Sequence, residues 1–333
     1  MPKRFAIPIL AILFIFGLYS AYWVYARSEI IRFVGDWEAA QIEAGFTLEH
    51  NNLRVGGYPY RFSVSADDLV MRAPEIDGGW VLELNGFEAN AMPYDFSHWI
   101  LSLGDTIRFQ QGGQGLALMT ENARFSVSGS DGVTQRIGAD VSNLQIESLG
   151  SAAVSVTDIE ALRLSAATGE DGDMIFRMQL EGVQLAGDQI DPVLSGSFGD
   201  YITGLQADFV ISHWPELARS ADLGTWARAG GVYSLREFHI GWGRLNMDAV
   251  GELGLDEALR PTGRISLNLL DPEAVVDAMI ESGAIAEQNS RALRLVAQSA
   301  PRSDAGTAIP LSFRNGGVYF GPVRLGETGS IAR

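Results

Sequence analysis

The sequence predicts a mainly β protein with minor α content: an N-terminal transmembrane helix followed by a long, curved, mostly antiparallel β-sheet with a few packed helices. Three observations predict it. An uncharged apolar stretch stands near the start of the chain. From Phe46 onward apolar side chains recur at every second position, the mark of strands with one apolar and one polar face. Brief Gly-, Asn- or Asp-containing turns separate those strands, and no regular strand–helix alternation argues for a parallel nucleotide-binding sheet.

Residues 5–26 read FAIPILAILFIFGLYSAYWVYA and carry no charge. At 1.5 Å per residue they span about 33 Å, enough to cross a hydrocarbon core. Lys3 and Arg4 precede the stretch, which puts residues 1–4 in the cytoplasm. Tyr19, Tyr22, Trp23 and Tyr25 crowd its far end, where aromatic rings favour the membrane–water interface. A cleaved signal peptide is the alternative, with Val24-Tyr25-Ala26 as its cleavage site, although the apolar run exceeds the usual signal core. Both readings carry the body out of the cytosol.

Residues 27–45 continue the helical period as an amphipathic extension. Ile30, Phe33, Val34, Trp37 and Ala40 share a face, and Gly45 supplies the stop. The acids of the polar face favour packing on the body over lying along the bilayer surface.

Residues 46–200 read as an antiparallel β region. Phe62, Val64 and Ala66 alternate with Arg61, Ser63 and Ser65, and the letters RFSVS return at Arg124 to Ser128. Asp77-Gly78-Gly79, Asn85-Gly86, Ser130-Asp131-Gly132 and Asn315-Gly316-Gly317 suit hairpin turns. Residues 201–326 mix strands and helices, with the same sheet crossing the line near 200 as an open alternative. Helices are expected over 213–229, broken at Leu223-Gly224, from Asp271-Pro272-Glu273 onward, and over 284–298. Residues 327–333 have too little apolar character to dock and are expected to fray.

Composition limits the function classes. Among 333 residues, 47% are hydrophobic, so a core can form, and 38 Gly against 12 Pro fit many turns. The formal charge of −17 repels phosphates, which excludes nucleic acid as a partner. No Cys is present, so disulfides, thiol catalysis and Cys-ligated metals are excluded.

A search for chemistry returns no catalytic, cofactor-binding or metal-ligating set. His50, His98, His213 and His239 lack the spacing of a helical zinc site. Gln111-Gly112-Gly113-Gln114-Gly115 lacks the Lys-Ser/Thr of a phosphate loop, and Ser195-Gly196-Ser197-Phe198-Gly199 is not a nucleophile elbow. Asp67-Asp68 and Glu170-Asp171-Gly172-Asp173 do not fit a twelve-residue calcium loop. Trp80, Trp99, Trp214, Trp226 and Trp242 fit core packing or an aromatic-lined lipid groove equally.

Gly57-Tyr58-Pro59-Tyr60-Arg61 invites a structural reading. Gly57 allows tight backbone, Pro59 stiffens the turn, Tyr58 and Tyr60 can clamp a sheet edge, and Arg61 can pair with an acid. Placed after a membrane helix, this run resembles the signature of the bacterial domain of unknown function 2125 family. So do Gly251-Glu252-Leu253-Gly254-Leu255-Asp256 with Arg260-Pro261-Thr262-Gly263, and the closing run Leu311 to Pro322. The resemblance spans nearly the whole chain. It implies an envelope protein of Gram-negative type and brings no activity and no catalytic residues; together with the N-terminal span, this places the chain single-pass in the inner membrane with its body in the periplasm. The plan also resembles AsmA-like envelope proteins, in which a span precedes an amphipathic sheet curled around an apolar groove.

The leading expectation is therefore a non-enzymatic membrane-anchored protein that binds a lipid or other apolar ligand along the sheet, or scaffolds an envelope assembly with protein partners. A hydrolase of an envelope polymer and an anchored subunit of a complex are the alternatives.

Overall fold

The computed structural model describes residues 3–130, 133–151, 153–169, 171–282, 294, 302–303, 306–321 and 323–331. With 54% strand and 23% helix it is mainly antiparallel β with a long apolar N-terminal helix, as its alternation predicts. The chain divides into two compact units, Met1–Ser128 with Ser148–Ala152, and Gly129–Glu147 with Ala153–Arg333. The line near residue 200 falls inside the second unit, between two strands that pair directly.

The first unit opens with α1 (Lys3–Glu43), one unbroken helix of 41 residues. Gly45 ends it at φ +91°, with its N–H donating to Ile42 O. Ten strands follow: β1 (Thr47–Asn51), β2 (Arg54–Gly56), β3 (Phe62–Ala66), β4 (Asp68–Arg72), β5 (Val81–Leu84), β6 (Phe87–Met92), β7 (Asp95–Leu103), β8 (Thr106–Gln111), β9 (Gln114–Met119) and β10 (Asn122–Ser130). They form two antiparallel ladders, β1–β4–β5–β8–β9 and β2–β3–β6–β7–β10.

The ladders are two halves of the same bent strands. β3 passes into β4 across Asp67, β5 into β6 across Asn85-Gly86, and β7 into β8 across Gly104-Asp105. Backbone hydrogen bonds close the corner: Asp67 N to Asn51 O (3.0 Å), Asn85 N to Thr106 O (3.0 Å) and Gly104 N to Gly86 O (2.8 Å). At Gly104 a Cβ would lie 1.5 Å from the Asn85 carbonyl oxygen, so this corner admits only glycine. Asn85-Gly86 is thus a mid-strand bend and not a hairpin turn. Both residues suit either role, and the pairing partners on each side decide it.

Cross-strand partners share a face. The rung Val64–Ala89–Leu101–Phe125 and its neighbour Phe62–Ala91–Trp99–Val127 are apolar, while Ser65–Glu88–Ser102–Arg124 is polar. The FSVS part of each RFSVS segment lies in β3 and β10, two rungs of the same ladder face drawing on both. Asp77-Gly78-Gly79 joins β4 to β5, and Gln111 to Gln114 makes the tip between β8 and β9.

The second unit is a meander of strands: β11 (Val133–Gly150, its last three residues falling in the first unit), β12 (Val156–Thr168), β13 (Met174–Leu185), β14 (Tyr201–Ile211), β15 (Tyr233–Trp242), β16 (Leu245–Leu255), β17 (Pro261–Leu269), β18 (Arg302–Ser303), β19 (Gly306–Arg314), β20 (Gly317–Phe320) and β21 (Val323–Glu327). Each pairs antiparallel with the next, except that β17 pairs with β19 while β18 makes a small hairpin on β19. Among the described residues, helices α2 (Pro192–Phe198), α3 (Trp214–Ser220), α4 (Leu223–Arg228) and α5 (Pro272–Glu281) sit in its connections. The helical break falls at Ala221-Asp222, two residues earlier than Leu223-Gly224 predicts, because the Asp222 carboxylate caps α4 through Gly224 N and Thr225 N. Asp271 caps α5 through Ala274 N at 3.1 Å. α5 lays Val276 on Leu269, Ile309 and Phe320 to form the core. The helix expected over 284–298 lies outside the described residues apart from Arg294. In the tail, Thr328 N donates to Gly316 O and Ile331 N to Leu259 O, so backbone bonds hold residues that apolar content alone would leave loose.

Candidate functional site

The apolar faces of both ladders in the first unit turn toward α1. Between helix and strands lie two adjoining apolar cavities of about 780 and 430 Å³, which share Phe33, Val34 and Val64. The first is floored by Ala89, Phe96 and Trp99 and walled by Tyr22, Tyr25 and Ile30. The second runs on to Leu48, Leu69 and Leu84 of the other ladder. Glu29 and Glu38 bring charge to its margins, and His50 Nε2 lies 3.5 Å from Glu38 Oε1. The amphipathic extension thus faces the sheet without filling it: Phe33 is 71% exposed and Trp37 43%.

The membrane end of the groove is held by aromatic contacts. Trp23 stacks on Phe62 with ring centroids 5.1 Å apart and meets Tyr58 edge-on at 5.3 Å. Phe62 is fully buried, and such burial contributes about 1.5–3 kcal/mol. The Tyr19 hydroxyl donates to the Pro59 carbonyl, and the Tyr22 hydroxyl to the Pro93 carbonyl. Tyr25 is 64% exposed. Of the four aromatics expected at a membrane interface, Trp23 is therefore turned into the protein, Tyr19 and Tyr22 are tied to loops, and Tyr25 faces outward along the groove.

The Gly57 to Arg61 motif forms the first of those loops. Gly57 has φ +99°, and its carbonyl accepts from Tyr60 N and Arg61 N, both at 3.1 Å. Arg61 pairs with Glu88 at 3.2 Å. Tyr58 clamps α1 and not a sheet edge, hydrogen-bonding Ser20 at 2.8 Å, while Tyr60 points outward. The polar face of the same ladder gathers Arg61, Glu88, Asn90, His98 and Arg124 around a shallow pocket.

The other histidines are dispersed. His239 Nδ1 lies 2.8 Å from Asp248 across β15 and β16 on an exposed surface, and His213 precedes α3 in a left-handed conformation. Among the described residues, no group of three His, Cys, Asp or Glu is placed to hold a metal ion. Trp226 is buried and donates to Ser212 O, and Trp242 donates to Gly199 O, so both serve packing, whereas Trp99 lines the groove. Alternation marks Trp99 as inward-facing, but which inward positions meet a helix and which meet a cavity depends on where α1 lies.

Residues 23–328 match the family described as an uncharacterized protein conserved in bacteria, DUF2125. The chain belongs to this family. No curated protein and no solved structure matches it. The likeness to AsmA-like proteins is not shown. Within this DUF2125 chain α1 is long and apolar enough to cross a membrane, by length and composition.

Proposed function

We propose that this protein is anchored in the bacterial inner membrane by α1, carries its body in the periplasm, and binds the acyl chain of a lipid in the groove beneath the helix. The groove carries the reading. It is apolar over nearly its whole lining, its larger part falls within the roughly 300–1,000 Å³ of small-molecule sites, and it starts at Tyr22 and Tyr25, at the far end of the apolar stretch of α1. A hydrocarbon chain leaving a bilayer beside that helix would exchange one apolar environment for another and meet few polar groups. Glu29 and Glu38 at the margins favour a lipid whose headgroup stays outside the cavity.

Native mass spectrometry of the full chain extracted in mild detergent tests this. Lipid adducts are expected on the wild type and are expected to fall with Ala89→Phe, which narrows the floor opposite Val64. A ligand-free mass under conditions that keep control lipoprotein complexes intact, or adducts indifferent to the substitution, would overturn the reading.

A further inference from the structure

The apolar stretch of α1 and the part of α1 that the body grips overlap. The uncharged segment runs from Phe5 to Ala26. Contacts with the body start at Phe16, whose ring meets Tyr58 at 6.4 Å, and continue through Tyr19, Tyr22, Trp23 and Ala26. Residues 5–15 alone give about 16 Å of helix. A hydrocarbon core needs about 30 Å. If α1 crosses a bilayer, the turns holding Tyr19 to Ala26 complete the crossing, and the loops clasped onto them go in with them.

Those loops are built for that position. Residues 57–60 are Gly-Tyr-Pro-Tyr and residues 92–94 Met-Pro-Tyr, with no charge in either. Each offers a proline carbonyl to a helix tyrosine, three residues apart on α1. Proline has no N–H to desolvate, and the carbonyl is already satisfied. Tyr60 and Tyr94 point away from the protein, 82% and 84% exposed, and Met92 is 48% exposed. Charges begin directly behind them, at Arg61 and Asp95, and at Arg27 on the helix, where Nε donates to Val55 O at 2.8 Å. The Ser97 hydroxyl, with backbone N–H groups of Ser97 and His98, holds the Asp95 carboxyl below its ordinary pKa, so it stays charged.

We propose that the loops 57–60 and 92–94 form an aromatic collar around α1 that seats the body in the interfacial layer of the lipid bilayer, with Tyr58, Tyr60, Met92 and Tyr94 among the headgroups and upper acyl chains. Tyrosine suits that layer, with an apolar ring and a polar tip. Arg27, Arg61 and Asp95 set the depth. The collar goes beyond the groove reading and depends on α1 spanning the bilayer, not on what the groove holds.

The chain has no cysteine, so single nitroxide labels can be introduced cleanly. Full-length Tyr60→Cys, Tyr94→Cys, Phe14→Cys and Ile76→Cys would be labelled and placed in phosphatidylcholine–phosphatidylglycerol vesicles. Accessibility to oxygen and to a water-soluble nickel chelate would be read by electron paramagnetic resonance. Ile76 is 91% exposed beside Pro74, which abuts Gly45 at the far end of α1, about 35 Å along the helix from Tyr22. Labels at 60 and 94 are expected to show nickel accessibility several-fold below that at 76, with an oxygen preference weaker than at 14. Labels at 60 and 94 as open to nickel as 76, with 14 in lipid, would overturn the collar alone. A label at 14 reading as water would overturn the span and the collar together. Neither result depends on lipid adducts in the groove.

Discussion

The Tyr22 hydroxyl donates to the Pro93 carbonyl at 2.6 Å, and three residues earlier on the same helix face Tyr19 donates to Pro59. Two loops from different parts of the chain are thereby fastened to one turn of α1. Replacing both tyrosines by phenylalanine keeps the rings and removes the bonds. Each such bond contributes about 0.5–1.5 kcal/mol, so the double variant is expected to lose about 1–3 kcal/mol. Thermal unfolding in detergent reads the change, and far-UV circular dichroism should show the helix intact. An unchanged midpoint would mean that the aromatic stacking alone holds the helix.

Phe62 is the larger contributor to that junction. It is fully buried between Trp23 and Phe96, with centroids 5.1 and 5.3 Å away. Phe62→Ala removes the ring at the point where helix and sheet meet, and aromatic-to-alanine changes in cores cost about 3–5 kcal/mol. Denaturant unfolding followed by tryptophan fluorescence should show that loss. The Phe62→Leu variant should recover much of it, because volume and not aromaticity fills the site.

Strand faces could be read in advance, since alternation is local. Phe62, Val64 and Ala66 fall on the buried face as their spacing predicts. The continuous helix to Glu43 was legible for the same reason, from period and the Gly45 stop. Other features were not. Tyr19, Tyr22, Trp23 and Tyr25 look alike as an aromatic cluster at the end of a span. Only the approach of Phe62 and Tyr58, distant in sequence, turns Trp23 inward and leaves Tyr25 out. Asn85-Gly86 carries the same signal as a hairpin, and long-range pairing to β8 and β7 makes it a bend. The groove itself is a gap between elements, and a gap has no residue pattern of its own.

Gly57 tests the loop from its backbone. At φ +99° an L side chain is strained, and a Cβ would lie 2.5 Å from the Arg61 carbonyl oxygen. Gly57→Ala is expected to destabilise by about 1–3 kcal/mol. At Gly56 nothing lies within 4 Å of the same atom, so Gly56→Ala should change stability far less. Equal midpoints for the two variants in a thermal melt would show that the loop can relax and that its glycine is dispensable.

Asp256 gives the pH dependence a defined direction. Its carboxylate accepts from Arg260 Nε at 2.9 Å, Arg260 N at 3.0 Å and Ala258 N at 2.9 Å, at the turn joining β16 to β17. The Arg260 side chain, then the backbone N–H groups, hold its pKa below the ordinary carboxylate value. A carboxylate depressed on folding binds fewer protons folded than unfolded, so its contribution is full above the unfolded pKa of about 3.9 and disappears as pH falls through the folded value. Asp256→Asn should therefore melt below the wild type at pH 7, and the gap should narrow as the pH is lowered from about 5 toward 3. Asp222, held low chiefly by the Thr225 hydroxyl, titrates in both proteins and cancels in the difference. A gap that stays constant across this range would show that the turn needs the shape of the side chain and not its charge.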